Sequence, residues 1–366
     1  TAKKRTQAKA VSTSLRKSTS FGQIMFRRFM TTISHFPSSV SVSDSLPAHS
    51  LVFTTILSLS DFLLLRLRLP DLLSFRVFQV QVTSLAYAFG KFVNNPSIVA
   101  SVQPSWRDRT ELFGYFNEFT KKFNETELLR AMYEASYNEN IYAVILDEMN
   151  IARVEYYFAE MLSILEMPSR DEWVVDIIPN SWPSDPKHIV NGQLKIPPNM
   201  WYIGTANNDD STFAITDKVY DRAMPINIDT KGVPFEAPLT DSVYISYKHF
   251  EYILNAAKVQ FVVSEENLKK IALLDDYVIE HFRIAFGNRI VKQLRDFVPA
   301  YVGTGGTELD GLDYVLARKV FRKFESLNLS YIRDEIDGLC AYIDELFGEE
   351  NMTESKDYLR MLKKLV

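Results

Sequence analysis

Asp147 and Glu148 are adjacent carboxylates placed directly after an apolar run, Ala143-Val144-Ile145-Leu146. A short apolar run of this kind reads as a strand buried on both faces of a parallel sheet. In open α/β sheets, ligands bind in the crevice outside the carboxyl ends of the strands. Asp147 then stands where an acid can hold Mg²⁺, and Glu148 where an acid can polarise an attacking water. By itself the pattern is weak, because many buried strands end in an acidic loop.

Three further features stand in the order that phosphate chemistry needs. Trp201-Tyr202-Ile203-Gly204-Thr205-Ala206-Asn207-Asn208 is an apolar strand ending in amides. An amide such as Asn207 can orient a water toward a phosphate without carrying charge; the competing reading is a plain turn, which Asn favours. Asp217-Lys218-Val219-Tyr220-Asp221-Arg222-Ala223 reads as a helix ending in an arginine. Arg222 could stabilise charge on a neighbouring subunit's phosphate, or simply form a surface ion pair. In Phe286-Gly287-Asn288-Arg289-Ile290, Arg289 could reach the same nucleotide or be a solvated helix residue.

The elements that must position these residues follow from periodicity. Helices are predicted from Thr83 to Phe92, Glu125 to Ala135 and Val154 to Leu165. Strands are predicted over Ser97–Val102, Ile141–Leu146, Met200–Thr205 and Met224–Ile228. Strands alternating with helices indicate a parallel sheet with crossover helices. After about Pro238 the pattern turns helical, over 246–258, 264–283, 287–299, 310–326 and 329–347, and there is no internal repeat. The expected organisation is an N-terminal region 1–82, an α/β core 83–237 and a helical region 238–366.

A chain of 366 residues, 46% hydrophobic and 24% charged, is long enough for two domains. A net charge of −5 gives no global basic field for nucleic acid, though it leaves room for a local one. The one cysteine, Cys340, excludes an intrachain disulfide framework and a cysteine zinc cluster, and fits a reducing, cytoplasmic setting. Five histidines show no metal-ligand spacing. No acid precedes Asp44, while Lys3, Lys4, Arg5, Lys9, Arg16 and Lys17 do; that composition resembles a transit peptide and equally a disordered basic tail. Residues 51–82 are rich in Leu, Phe and Val, but Asp61, Arg66, Arg68 and Asp71 interrupt them, so no membrane span is expected.

Taken in order, the motifs resemble those of AAA+ ATPases, and more closely the McrB-like branch, related to MoxR-type ATPases. The residues that carry the resemblance are AVILDEMNIARVEYYFAEMLSILE, WYIGTANNDDSTFAITDKVYDRA, and FGNRIVKQLRDF with GLDYVLARKVFRKFE; VQPSWRDRTELFGYFN adds to it. It covers roughly residues 83–330. The resemblance implies an α/β fold, an AAA+ P-loop NTPase core with a parallel sheet followed by an all-helical lid. It implies that Asp147 organises Mg²⁺ and Glu148 activates water. Asn207 would be the sensor amide, Arg222 a finger acting in trans and Arg289 the lid arginine. Asn150 and Arg153 belong to the branch signature and would lie near the nucleotide or a subunit interface. It further implies hydrolysis of ATP or GTP, a self-assembled hexameric ring, DNA as the track, and an McrC-like nuclease subunit as partner. A MoxR-like protein-remodelling ATPase and a non-hydrolysing ring or scaffold subunit are the rival expectations. Trp106, Tyr115 and Phe116 are left to packing.

One element of that family is missing. A phosphate loop, G-x-x-x-x-G-K-[ST], should directly precede the first helix, with Thr83 and Ser84 close to the nucleotide. The chain has Arg76-Val77-Phe78-Gln79-Val80-Gln81-Val82 there, with neither glycine nor lysine. Val-Phe-Gln-Val-Gln-Val is encoded GTN TTY CAR GTN CAR GTN; read one nucleotide earlier, these codons permit Gly-Ile-Ser-Gly-Thr-Gly. The residues before about Thr83 are therefore expected to be translated out of frame. The rival is a degenerate subunit.

Overall fold

The computed structural model describes residues 82–364, apart from 180, 182, 184, 208–210 and 227–241. The phosphate-loop question and the N-terminal region 1–81 lie outside the described residues. Contacts divide the described chain into two units, one ending at Tyr252 and the other starting at Ile253.

Among the described residues, the N-terminal unit is built on three parallel strands, β1 (Ile98–Ser101), β4 (Tyr142–Asp147) and β8 (Met200–Gly204), in the order β1-β4-β8. β4 is the middle strand, and Ala143, Val144 and Ile145 are completely buried, as an apolar run covered on both faces must be. Register sets Ser101 opposite Asp147 and Leu146 opposite Gly204, so the three strands end at one level.

The helix α1 (Val82–Phe92) buries Ala86, Ala88, Phe89 and Phe92, and Phe89 stacks on Trp201 of β8 at 5.2 Å. The short α2 (Thr110–Phe113) leads into an antiparallel hairpin, β2 (Gly114–Asn117) with β3 (Lys122–Glu125). Then α3 (Glu127–Ala135) follows, with the Thr126 hydroxyl accepting from the Leu129 N–H at its start.

The helix expected over 154–165 is two pieces, α4 (Val154–Tyr157) and α5 (Ala159–Ile164), broken at Phe158. Tyr157 and Phe158 are both buried. Tyr157 reaches back to the Met149 carbonyl, while Phe158 packs edge-on against Tyr202. A straight helix would send two consecutive side chains to different faces. A second sheet, β5 (Val174–Asp176), β7 (Gln193–Lys195) and β6 (Ile189–Val190), has β7 central and all pairs antiparallel. Asn191 and Gly192, both at positive φ, make the two-residue turn between β6 and β7. The last element before the undescribed segment is α6 (Asp217–Tyr220). The strand expected at Met224–Ile228 is not found over 224–226, and its last two positions lie outside the described residues.

The C-terminal part is helical. α7 (Tyr247–Gln260) crosses the division; α8 (Glu265–Phe282), α9 (Gly287–Gly303) and α10 (Glu308–Val315) follow. The expected helix 310–326 continues from α10 as a π turn, Leu316–Val320, and a 3₁₀ stretch, Phe321–Ser326. Leu316, Ala317, Val320, Phe321 and Phe324 are all buried, and the changes of winding bring them all inward. α11 (Leu329–Phe347) packs on α12 (Thr353–Lys364), the latter not anticipated from periodicity. No helix among the described residues is long and apolar enough to cross a membrane.

Candidate active site

The chain leaves β4 at Asp147 and turns sharply. Glu148 takes a left-handed conformation, φ 53°, before a single 3₁₀ turn, Met149–Ile151. A non-glycine residue in that region is uncommon and is held only where its surroundings determine it. Here Thr205, just past β8, does so. Its Oγ1 donates to Asp147 Oδ1 at 2.9 Å and accepts from the Glu148 N–H at 2.9 Å. Its backbone N–H donates to the Leu146 carbonyl at 3.0 Å, and its carbonyl accepts from the Met149 N–H at 2.7 Å. Thr205 is therefore bonded to four consecutive residues of the acidic turn, and it is buried. Asp147 is half-buried and Glu148 exposed. The Met149 side chain lies directly against Gly204, where a Cβ would fall 2.0 Å from its Sδ and push that flexible side chain aside.

Asn150 binds the next part of the loop. Its side-chain amide donates to the Asn207 carbonyl (2.8 Å), Thr212 Oγ1 (3.0 Å) and the Phe213 carbonyl (3.2 Å). The Phe213 N–H donates back to the Asn150 carbonyl at 2.8 Å. Asn150 is 3% exposed, and its Oδ1 has no hydrogen-bond partner, an atom that a water or ligand donor would satisfy. The Arg153 guanidinium lies over the Phe213 ring at 4.8 Å and the Tyr156 ring at 5.8 Å. Tyr157 donates to the Met149 carbonyl at 2.9 Å, and burial pushes its hydroxyl pKa up, so it stays a neutral donor.

The structure thus brings Asp147, Glu148, Asn150 and Asn207 into one hydrogen-bonded unit, with Arg153 beside it. Asn207 enters through its carbonyl, and its residue is exposed. Arg222 is not bonded to that unit: its Nε donates to Glu166 Oε2 at 2.6 Å, and its Nη1 to the Lys218 carbonyl at 3.1 Å. Thr83 and Ser84 lie in the first turn of α1. Arg289 is in the first turn of α9, exposed, within the C-terminal unit. Trp106 packs edge-on against Tyr157 at 5.1 Å, the packing role expected for it, whereas Tyr115 in β2 is 53% exposed.

Thr205 and Glu166 are the residues that motif reading passed over. Thr205 stood inside the quoted amide-bearing segment, and its partner Asp147 is 58 positions away. Glu166 follows the apolar helical stretch that ends at Leu165, with nothing local to mark it.

Among the described residues no three His, Cys, Asp or Glu gather into a metal cluster. The acid pair suits a cation that draws most of its ligands from phosphates and water, which is the habit of Mg²⁺.

No protein-family model matches the chain, and no curated protein does. One similar solved structure is that of an ATPase candidate from Cytophaga hutchinsonii. It is 11% identical with a TM-score of 0.37, over 81% of this chain and 84% of that one. A likeness of that degree assigns neither a family nor a function.

Proposed function

We propose that this chain is a nucleoside-triphosphate-hydrolysing subunit of the AAA+ type, in the McrB-like manner, working as part of a ring. The observation that carries this reading is the hydroxyl and amide lacing at the ends of β4 and β8. Asp147 and Glu148 lie at the carboxyl end of a central parallel strand, where such sheets bind their ligands. Thr205 and Asn150 tie them to the loop that carries Asn207.

In this reading Mg²⁺, when bound with nucleotide, neutralises charge on the phosphates. Asp147 holds an oxygen ligand toward it. Glu148, exposed on a strained turn, takes the proton of the attacking water. Asn207 orients that water with its side-chain amide, and Arg222 meets the phosphate of an adjacent subunit. Movement along DNA and activation of an McrC-like nuclease subunit are the proposed use of the hydrolysis; ATP and GTP are both candidate substrates.

In a chain restored to frame ahead of Thr83, Glu148→Gln is expected to keep Mg-nucleotide binding and to lose turnover by at least about 100-fold. Binding titration and steady-state hydrolysis read the two separately, and undiminished turnover would remove Glu148 from this role.

The absent glycines and lysine over 76–82 favour a second reading, a ring subunit that does not hydrolyse. Tight Mg-ATP or Mg-GTP binding with turnover by the 366-residue chain would exclude it.

A further inference from the structure

We propose that Glu166 is a positioning residue for hydrolysis, holding Arg222 in the orientation in which it meets a neighbouring subunit's phosphate; this rests on the reading of Arg222 given above. Glu166 lies just beyond α5, in the chain that descends from the acidic turn. Arg222 lies just beyond α6, in the chain that descends from Asn207. Their ion pair joins the two segments that leave the site. Both side chains are largely withdrawn from solvent, 23% exposed for Arg222 and 19% for Glu166.

The guanidinium is gripped on one side. Nε donates to Glu166 Oε2 at 2.6 Å and Nη1 to the Lys218 carbonyl at 3.1 Å. Among the described residues Nη2 has no hydrogen-bond partner. A planar guanidinium held through Nε keeps its terminal nitrogens in a fixed plane, the geometry that suits recognition of a second anion. A long side chain already ordered by its neighbours loses less freedom when it meets its target. An ion pair kept for stability alone would be a poor use of two withdrawn charges, because such pairs contribute little net stability over apolar replacements.

The test uses the full chain, restored to frame ahead of Thr83, with Mg-ATP and Mg-GTP. Glu166→Gln is expected to lower kcat about 10- to 100-fold, the usual effect of losing an orienting partner, with KM little changed. Arg222→Ala is expected to lower kcat about 1,000-fold, and the double variant to be no worse than Arg222→Ala. The decisive measurement is mixing. Glu148→Gln subunits lack a working acid but carry an intact Arg222. Added to either Glu166→Gln or Arg222→Ala subunits, they are expected to restore part of the turnover, because the acids of one copy then meet a properly held arginine of another. Glu166→Asp keeps the charge on a shorter arm, is expected to fold as the parent does, and should lose turnover only in part.

A Glu166→Gln loss that mixing does not restore, or that adds in full to Arg222→Ala, overturns the inference. So does unchanged kcat in both Glu166 variants while the parent turns over. Absence of turnover in the parent chain overturns this inference together with the reading beneath it.

Discussion

Thr205 shows how much of the site's geometry rests on one hydroxyl. It donates to Asp147 and accepts from the Glu148 N–H, so it orients one acid and holds the backbone of the other in a left-handed turn. Thr205→Val keeps the branched shape but removes the acceptor of the Glu148 N–H and one donor to the Asp147 carboxylate. The expected cost is about 1–3 kcal/mol of stability, with turnover lowered about 10- to 100-fold. Thr205→Ser restores both. Denaturant midpoints and steady-state hydrolysis on the two variants check this; equal turnover in Val and parent would leave the hydroxyl a packing detail. Asp147, Glu148, Asn150 and Asn207 were legible because acids and amides after apolar strands are a local pattern. The partners that orient them were not, since Thr205 lies 57 and 58 positions from the residues it bonds.

At the scale of elements, legibility followed periodicity. β1, β4 and β8, together with α1 and α3, stand close to where apolar spacing placed them. The hairpin β2–β3 and the sheet β5-β7-β6 were missed. Their strands are only two to four residues long, too short for alternation to register. The Asn191-Gly192 turn was a usable signal that went unread. α12 was missed for another reason: it packs through Ser355, Lys356, Leu359 and Leu362, a mixed face whose polar members are buried by their partners. Lys356 pairs with Asp344 of α11, and Asp313 of α10 accepts the N–H groups of Glu354 and Ser355 at the start of α12. Asp313→Ala should remove that cap and cost about 1–2 kcal/mol, read as a lower denaturant midpoint with nucleotide binding unchanged. Burial pushes the Asp313 carboxyl pKa up in spite of its two N–H donors. The folded chain therefore holds this proton more tightly than the unfolded chain. The group's contribution to stability is present at low pH and declines as the pH rises through its folded pKa.

At the scale of the whole molecule, the proposed function needs more than one copy. An arginine acting in trans makes turnover depend on assembly, so hydrolysis per subunit is expected to fall on dilution and to recover on concentration. Constant specific activity across a dilution series would argue for a site complete within one chain. The nucleotides across codons 70–85 bear on the same question from the other side. Codons that cannot yield glycines in the shifted frame would end the frameshift explanation and leave a chain without a phosphate loop.

The order of chemical groups along the chain was determined by the sequence alone: an acid pair, an amide and an arginine behind buried strands, then a helical region. Side-chain type and apolar spacing are local properties, and they survive without a fold. Only the tertiary structure decided how those groups are held. The Thr205 hydroxyl joins β8 to the acidic turn, the Asn150 amide secures the next loop, and Glu166 grips Arg222. Each of these bonds links residues more than fifty positions apart, and such pairings exist only once the parallel sheet has brought its strand ends to one level.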